Sequence, residues 1–297
     1  MPQPQRVEVR IGQRSLSLSN LDKVLWPETG FTKGQLIDYY SRIAPVMVPH
    51  LTRRPITLRR WPNGVNATSF FEKNCPSHKP PWVESVLMGD VNYCLIDEPA
   101  ALVWVANLAS IEVHPSLAQA PDLEVPTAVV FDLDPGAPAD VITCAEVAVI
   151  LRDALHRLGL QAWPKTSGSK GIQVYAPLNS GADYDRVKPF AQAVAQLLER
   201  EHPDLIVSVM EKSRRKKKVF IDWSQNTASK TTVAVYSVRA LERPSVSTPV
   251  TWDELDNALS SKDASMLRFE PEQVVERVDR LGDLHAPVLD VQQELPV

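Results

Sequence analysis

The spacing of hydrophobic and polar residues along the chain predicts a mixture of strands and helices. Alternation over residues 7–18 predicts a small hairpin or an edge strand. A helix is predicted after Thr32, where apolar residues recur at helical spacing and Gln35 can complete a capping box. Further helices are predicted at 140–158, at 184–201, after Thr251 and near 271–281. Strands are predicted at 127–130, 172–175, 205–210, 218–223 and 231–238. The order of these elements predicts an α+β fold with a largely antiparallel sheet.

Two aspartates follow the apolar run that ends at Phe131. Asp132 and Asp134 are two positions apart, so they project from the same face of a strand that Pro135 and Gly136 then end. Neighbouring carboxylates repel each other unless a cation lies between them, and oxygen ligands suit Mg²⁺ or Mn²⁺. The alternative is a polar strand end that leads into a turn.

A third acid, Asp222, lies inside the apolar run Val219–Trp223. A buried carboxylate needs a cation, a proton or several hydrogen-bond donors, and a salt bridge to a nearby Arg or Lys is the simpler explanation. Three acids on two strands are nevertheless typical of a two-metal nucleotidyl-transfer site.

Composition places the chain among soluble globular proteins, with 44% hydrophobic and 23% charged residues in 297 positions. No long apolar run predicts a membrane span, and residues 1–6 lack the apolar core of a signal peptide. The scattered Cys75, Cys94 and Cys144 predict neither a disulfide framework nor a zinc site, which fits a reducing cytoplasm. The net charge of −4 argues against nucleic-acid binding, but residues 212–218 hold six cations and indicate a locally basic face.

Several further residues suit contact with phosphates or bases, although each also has a purely structural explanation. The Thr166–Gly171 loop joins two strands and can wrap phosphate with its backbone N–H groups, but such loops are often only turns. Arg59 and Arg60 are followed closely in the sequence by Phe70 and Phe71. Arginines combined with aromatic residues suit phosphate contact and base stacking, unless both rings belong to the core. Lys33 lies in the first turn of a helix, where the helix dipole disfavours a cation, and this indicates an anion bound nearby.

Together these segments resemble the polymerase domain of bacterial ATP-dependent DNA ligase D and its stand-alone relatives, in the archaeo-eukaryotic primase superfamily. The resemblance covers about residues 12–285, and its motifs occur in the family's order. They are Leu-Asp-Lys-Val-Leu-Trp-Pro at 21–27, Arg-Trp-Pro-Asn-Gly at 60–64, Phe-Phe-Glu-Lys at 70–73, Glu-Val-His at 112–114, Phe-Asp-Leu-Asp-Pro at 131–135, Thr-Ser-Gly-Ser-Lys-Gly at 166–171 and Val-Phe-Ile-Asp-Trp-Ser-Gln-Asn at 219–226. The resemblance implies a single primase-polymerase domain over residues 1–297, with a central antiparallel sheet flanked by helices and a smaller N-terminal subdomain. We expect an isolated domain or a stand-alone enzyme.

The resemblance also implies a role for each candidate residue. Two Mn²⁺ or Mg²⁺ ions would be held by Asp132, Asp134 and Asp222. The incoming NTP or dNTP would contact His114, Ser167, Lys170, Gln225 and Arg239. A DNA 5′-phosphate would be held by Lys23 and Lys33, and template or incoming bases would stack on Phe70 and Phe71. The family often has His where this chain has Gln173, which keeps hydrogen bonding but loses a possible positive charge.

Two functions of different classes follow from these residues. The first is a template-dependent primase-polymerase, with a ribonucleotide preference implied by the family, that acts at gaps and DNA ends in non-homologous end joining or related repair. Its partners would be DNA with gaps, breaks or 3′ overhangs bearing a 5′-phosphate, together with Ku and a DNA ligase, without a membrane, in the cytoplasm and associated with the nucleoid. The second is a non-catalytic module that bridges DNA ends and recruits a ligase. Three carboxylates repel phosphate in a pure binder, so they favour the enzyme.

Overall fold

The computed structural model describes residues 6–296, so most of the N-terminal stretch considered as a signal peptide lies outside the described residues. The first half of the chain contains β1 (Arg6–Ile11), β2 (Arg14–Ser19), β3 (Val24–Trp26), β4 (Phe31–Thr32), α1 (Lys33–Met47), β5 (Ile56–Arg60), β6 (Phe70–Glu72), β7 (Ser85–Met88), β8 (Val91–Cys94), α2 (Pro99–Asn107), β9 (Ser110–Pro115), β10 (Ala118–Gln119) and β11 (Asp122–Pro126). The predicted hairpin is β1–β2, and α1 begins with the predicted Thr32–Gln35 capping box. In this half, β5 pairs antiparallel with β6, β8 and β9, and β7 extends the same sheet.

The second half contains the sheet that carries the acids. Its elements are β12 (Ala128–Pro135), α3 (Val141–Arg157), β13 (Trp163–Thr166), β14 (Ile172–Pro177), α4 (Tyr184–Glu201), β15 (Ile206–Val207), β16 (Val219–Asp222), β17 (Val238–Ala240), β18 (Pro244–Val246), α5 (Trp252–Ser261), α6 (Pro271–Leu281) and α7 (Pro287–Asp290). The strand order is β13-β14-β12-β16-β15, antiparallel except for the β15–β16 pair. This sheet confirms the α+β prediction, and the helices predicted at 140–158, 184–201, after Thr251 and near 271–281 are α3 to α6.

Apolar side chains form two main clusters, one for each half of the chain. The first packs α1 and α2 against β5 and β9, and Tyr236, Val238 and Val246 from the later chain join it. The second packs α3, α4 and α5 against β12, β14 and β16. Phe269 lies against both clusters. No helix among residues 6–296 combines the length and the apolar character needed to cross a bilayer.

The strand predicted at 231–238 is wrong over most of its length. Only Val238 enters a strand, β17, and Tyr236 has a φ of 66° that breaks the extended path. Backbone hydrogen bonds leave this segment in different directions, from Ala234 N to Val113 O at 2.9 Å and from Tyr236 N to Ser247 O at 2.7 Å. The apolar run is therefore buried as a loop between the two halves rather than as a sheet strand.

The expectation of three scattered thiols outside any disulfide framework is also wrong for two of the three cysteines. Cys75 pairs with Cys94 on β8, 19 positions further along the chain, and only Cys144 is free and buried. The backbone explains the pairing, because Cys75 N donates to Asn92 O at 2.7 Å and holds the preceding loop beside β8. The cysteine pattern consequently gives no support for a reducing compartment.

Candidate active site

The three predicted acids meet on neighbouring strands. In the central strand β12, Asp132 lies directly opposite Asp222 of β16 and, on its other side, opposite Gln173 of β14. Asp134 projects two positions further along the same face. Asp222 is only 8% exposed and accepts hydrogen bonds from Ser224 Oγ at 2.6 Å and Gln225 Nε2 at 2.8 Å. The short turn after β16 thus fixes Asp222 in place.

The electrostatics of this face favour a cation. Burial raises the pKa of Asp132 to about 7, with Asp134 and Asp222 adding to the effect and a hydrogen bond from Gln173 opposing it. Burial and Asp222 also raise the pKa of Asp134, although Arg215 and Arg239 oppose the shift. Excess negative charge and free carboxylate oxygens suit hard divalent ions, so the residues fit the implied metals. Within residues 6–296, however, no group of three or more His, Cys, Asp or Glu side chains is arranged to hold a metal ion as it stands.

A pocket of about 260 Å³ brings most of the predicted site together. Its lining includes His114, Asp132, Asp134, Ser167, Lys170, Gln173, Gln225 and Arg239. Acids therefore line one part of the pocket, while Lys170 and Arg239 supply positive charge. Asp222 does not itself line the pocket, but it accepts a hydrogen bond from the side chain of Gln225, which does.

Close packing shapes the loop around Ser167. Ser167 Oγ accepts hydrogen bonds from the backbone N–H groups of Ser169 at 3.2 Å and Gly171 at 3.1 Å, and Arg239 Nη1 donates to Ser167 O at 2.7 Å. Glycine is required at 171, because a Cβ there would collide with the Leu133 carbonyl. The loop is therefore drawn against the strand that carries Asp132 and Asp134, with exposed Lys170 at its tip.

The basic segment 212–218 packs beside the acids. Gly136 N donates to Lys218 O at 2.8 Å, and Lys217 N donates to Gly136 O at 3.0 Å. A Cβ on Gly136 would strike the backbone of Arg215, which explains why glycine is needed at this position. The basic segment therefore lies close to Asp134, although none of its residues lines the pocket.

His114 lines the pocket and is tied to a buried acid that sequence reasoning did not single out. His114 Nε2 lies 3.0 Å from Glu112 Oε2, and burial lowers the pKa of His114. Burial alone would raise the pKa of Glu112, but His114 and Arg239 lower it to about 2. A charged residue inside the apolar run Ile111–Val113 was the available signal, as it was for Asp222.

Lys165 is a second residue that sequence reasoning missed. It lies directly across from Gln173, is 1% exposed and donates to Gln173 Oε1 at 2.5 Å, Ser247 Oγ at 2.7 Å and Val233 O at 3.0 Å. Burial lowers the pKa of Lys165 to about 7, although Asp132 opposes the shift. Because Gln173 Oε1 accepts from Lys165, its amide N–H₂ is left to face Asp132. A buried amine thus lies directly behind Gln173.

Phe70 and Phe71 lie on the surface, which rules out the alternative that both belong to the core. They are 44% and 60% exposed, on β6. The Arg59 guanidinium lies 5.0 Å from the ring centre of Phe71, and that of Arg60 lies 5.3 Å from the ring centre of Phe70. The Phe71 ring also meets His114 edge-on, with 6.0 Å between ring centres. These rings therefore form an aromatic surface next to the pocket.

Lys23 and Lys33 lie close together through a backbone contact, although their ammonium groups donate to different oxygens, that of Lys23 to Asn63 Oδ1 at 3.3 Å. Lys33 N donates to Lys23 O at 2.8 Å, which folds the intervening turn back on itself. Lys23 is exposed, whereas Lys33 is only 4% exposed and its ammonium donates to Ser19 O at 2.6 Å. Burial, with smaller effects from Lys23 and Arg60, lowers the pKa of Lys33 to about 8. Arg60 is paired with Glu72 at 2.8 Å, so the positive charge that this corner offers to an anion comes mainly from Lys23 and Lys33.

Comparisons with known proteins identify the family to which this chain is similar. The family model described as LigD, primase-polymerase domain, matches residues 32–285. The multifunctional non-homologous end joining protein LigD of Mycolicibacterium smegmatis is 43% identical over 277 residues, which is 91% of this chain and 36% of that protein. The LigD of Mycobacterium tuberculosis is 41% identical over 296 residues, which is 94% of this chain and 38% of that protein. The chain thus spans well under half the length of these curated relatives.

One solved structure is similar to this chain over nearly the full length of both proteins. The polymerase domain of Mycobacterium tuberculosis ligase D, determined in complex with DNA, aligns with a TM-score of 0.86 and 40% identity. The alignment covers 94% of this chain and 99% of that one.

Proposed function

The chain belongs to the LigD primase-polymerase family, and from that premise we propose that it is a template-directed nucleotidyltransferase that adds nucleotides at gaps and broken DNA ends. The observation that carries the proposal is the single pocket in which Asp132 and Asp134 face Lys170 and Arg239. Carboxylates opposite cations suit a triphosphate bound through divalent ions, because the acids alone would repel phosphate.

Each group in the pocket has a task in this reaction. Asp132, Asp134 and Asp222 would hold two divalent ions, Mn²⁺ or Mg²⁺. Ions bound there would lower the pKa of the primer 3′-hydroxyl and stabilise charge on the triphosphate. Lys170 and Arg239 would offset the negative charge that remains on the leaving pyrophosphate.

The protein's other residues would position the two substrates. Ser167 and Gln225 would contact the nucleotide, with His114 beside its sugar, and we propose a preference for ribonucleotides. Phe70 and Phe71 would stack against bases, because base–aromatic stacking needs an exposed ring such as each of these. The substrate would be gapped or broken DNA with a 5′-phosphate.

The biological setting is also part of the proposal. Relatives are named for non-homologous end joining, so we propose a role in that repair or in related gap filling, with Ku and a DNA ligase as partners. Such a role places the protein in the cytoplasm, with the nucleoid.

Primer extension with purified protein tests this function. We expect metal-dependent nucleotide addition on a gapped duplex with Mn²⁺ or Mg²⁺ and none with EDTA. An unprimed single strand in parallel separates primer synthesis from gap filling. If the protein binds gapped DNA but adds no nucleotide with either metal, it is a non-catalytic end-bridging module.

A further inference from the structure

Glu112 occupies an unusual place for a carboxylate. It lies between Ile111 and Val113 on β9 and is 3% exposed, so it is more deeply buried than Asp132, Asp134 or Asp222. It does not line the pocket, whereas His114 and Arg239 do. Glu112 can therefore act on a bound nucleotide only through its neighbours.

Both oxygens of Glu112 are used by residues that surround the pocket. Oε1 accepts from Arg239 Nε at 3.1 Å and from the backbone N–H of Ala240 at 3.3 Å. Oε2 lies 3.0 Å from His114 Nε2 and 3.5 Å from Arg59 Nη1. One carboxylate thus joins β9 to β17, and through Arg59 it also reaches the aromatic surface around Phe71.

The contact with Glu112 decides what His114 can offer to a ligand. A neutral imidazole carries one N–H donor and one lone-pair acceptor, and an ionised carboxylate can only accept. Nε2 must therefore carry the proton, which leaves Nδ1 as an acceptor. The lowered pKa of His114 agrees with a neutral ring.

The same carboxylate restricts Arg239. Its Nε is taken by Glu112 and its Nη1 by Ser167 O at 2.7 Å. The planar guanidinium is then fixed at two points, and Nη2 is left free to meet a ligand. A side chain held in this way loses little conformational freedom when it binds phosphate.

We propose that Glu112 is a positioning residue that sets His114 as a hydrogen-bond acceptor and aims Arg239 at the nucleotide. This inference rests on the proposed nucleotidyl-transfer function of the pocket. Loss of the carboxylate should weaken nucleotide binding more than the chemical step, because the acids that would hold the metals are untouched.

The variant Glu112→Gln tests the proposal with little change in shape. Its amide oxygen can still accept from Arg239, but its N–H₂ group would face the protonated Nε2 of His114. The ring must then move its proton to Nδ1 or lose the contact. We expect KM for the nucleotide to rise about 10- to 100-fold, the size of one charged hydrogen bond, with kcat changed less than about 5-fold.

A matched control separates positioning from stability. Glu254→Gln alters a partly buried carboxylate that is paired with Arg277 between α5 and α6, away from the pocket. It should lower the melting temperature while leaving KM unchanged. Equal KM values for wild type and Glu112→Gln, or a fall in kcat alone, would overturn the proposal.

A measurement on the wild-type protein decides the matter even if the variant does not fold. Nitrogen-15 NMR of histidine-labelled protein, with the His114 signals assigned from His114→Asn, should show the proton on Nε2 at pH 7. A proton on Nδ1, or on both nitrogens, would refute the proposal. Failure of the proposed function is distinguishable, because wild-type protein would then add no nucleotide whatever the state of His114.

Discussion

Lys23 and Lys33 offer a sharp test of how this protein would recognise a DNA end. The double change Lys23→Ala and Lys33→Ala removes both ammonium groups from the corner where the turn folds back. We expect wild-type protein to bind gapped DNA with a 5′-phosphate more tightly than the same DNA with a 5′-hydroxyl. The double variant should lose this difference yet still extend a simple primed template.

The burial of each lysine sets the expected magnitude. Lys33 is 4% exposed, so its contact with a phosphate should contribute about 1.5–3 kcal/mol. Lys23 is exposed and screened by water and salt, so it should add only about 0.5–1 kcal/mol. The total of about 2–4 kcal/mol corresponds to a roughly 30- to 900-fold preference for the phosphorylated end.

The preference should also depend on pH. Because the pKa of Lys33 is lowered to about 8, its charge is present below that pH and is lost above it. A terminal phosphate takes its second charge near about pH 6. The preference should therefore be greatest between these values and weaken by pH 9.

The assay measures four dissociation constants at fixed salt, one for each combination of the two proteins with the two DNA ends. Lys188→Ala, on α4, is a control for the loss of one positive charge outside the corner. The reasoning fails if wild type does not distinguish the two ends, or if the double variant still does.

Three other experiments test the rest of the site. Asp132→Ala or Asp222→Ala should abolish primer extension, because a metal ligand is lost, while DNA-end binding stays nearly intact; extension by both variants at saturating Mn²⁺ would make these acids structural. Competing single additions on a one-nucleotide gap should favour ribonucleotides, and a clear deoxyribonucleotide preference would point to an altered sugar pocket around Gln173. Phe71→Ala should weaken binding to gapped DNA by about 1–3 kcal/mol, because base stacking on the ring is lost. The melting temperature should not fall, since the ring is 60% exposed. A large fall in melting temperature would instead mean that Phe71 stabilises the folded protein.

Local patterns were enough to predict the parts of the structure that depend on neighbouring residues. The capping box at Thr32 and the projection of Asp132 and Asp134 from one face of a single strand both follow from spacing along short segments. Residues 231–237 were mistaken for a strand because an apolar run does not reveal that its hydrogen-bond partners lie in different elements.

Residues whose roles depend on distant contacts could not be predicted in the same way. Lys165 meets Gln173, Val233 and Ser247, the last two 68 and 82 positions away, so no local motif marks it. Cys75 meets Cys94 only because the loop before β7 returns to β8. Long-range pairing of this kind is visible in the folded chain alone.

Residues from both halves of the chain line the pocket, and this limits which fragments of the protein can be active. His114 lies on a strand of the first hydrophobic cluster, whereas Asp132 lies on a strand of the second. Arg239 belongs to a later strand that packs with the first half yet bonds to Ser167 in the second. A fragment that contained either cluster alone would keep only part of the nucleotide's contacts. The smallest active piece of this chain must therefore span both clusters and continue past β17, so successive deletions should remove catalysis in one step rather than by degrees.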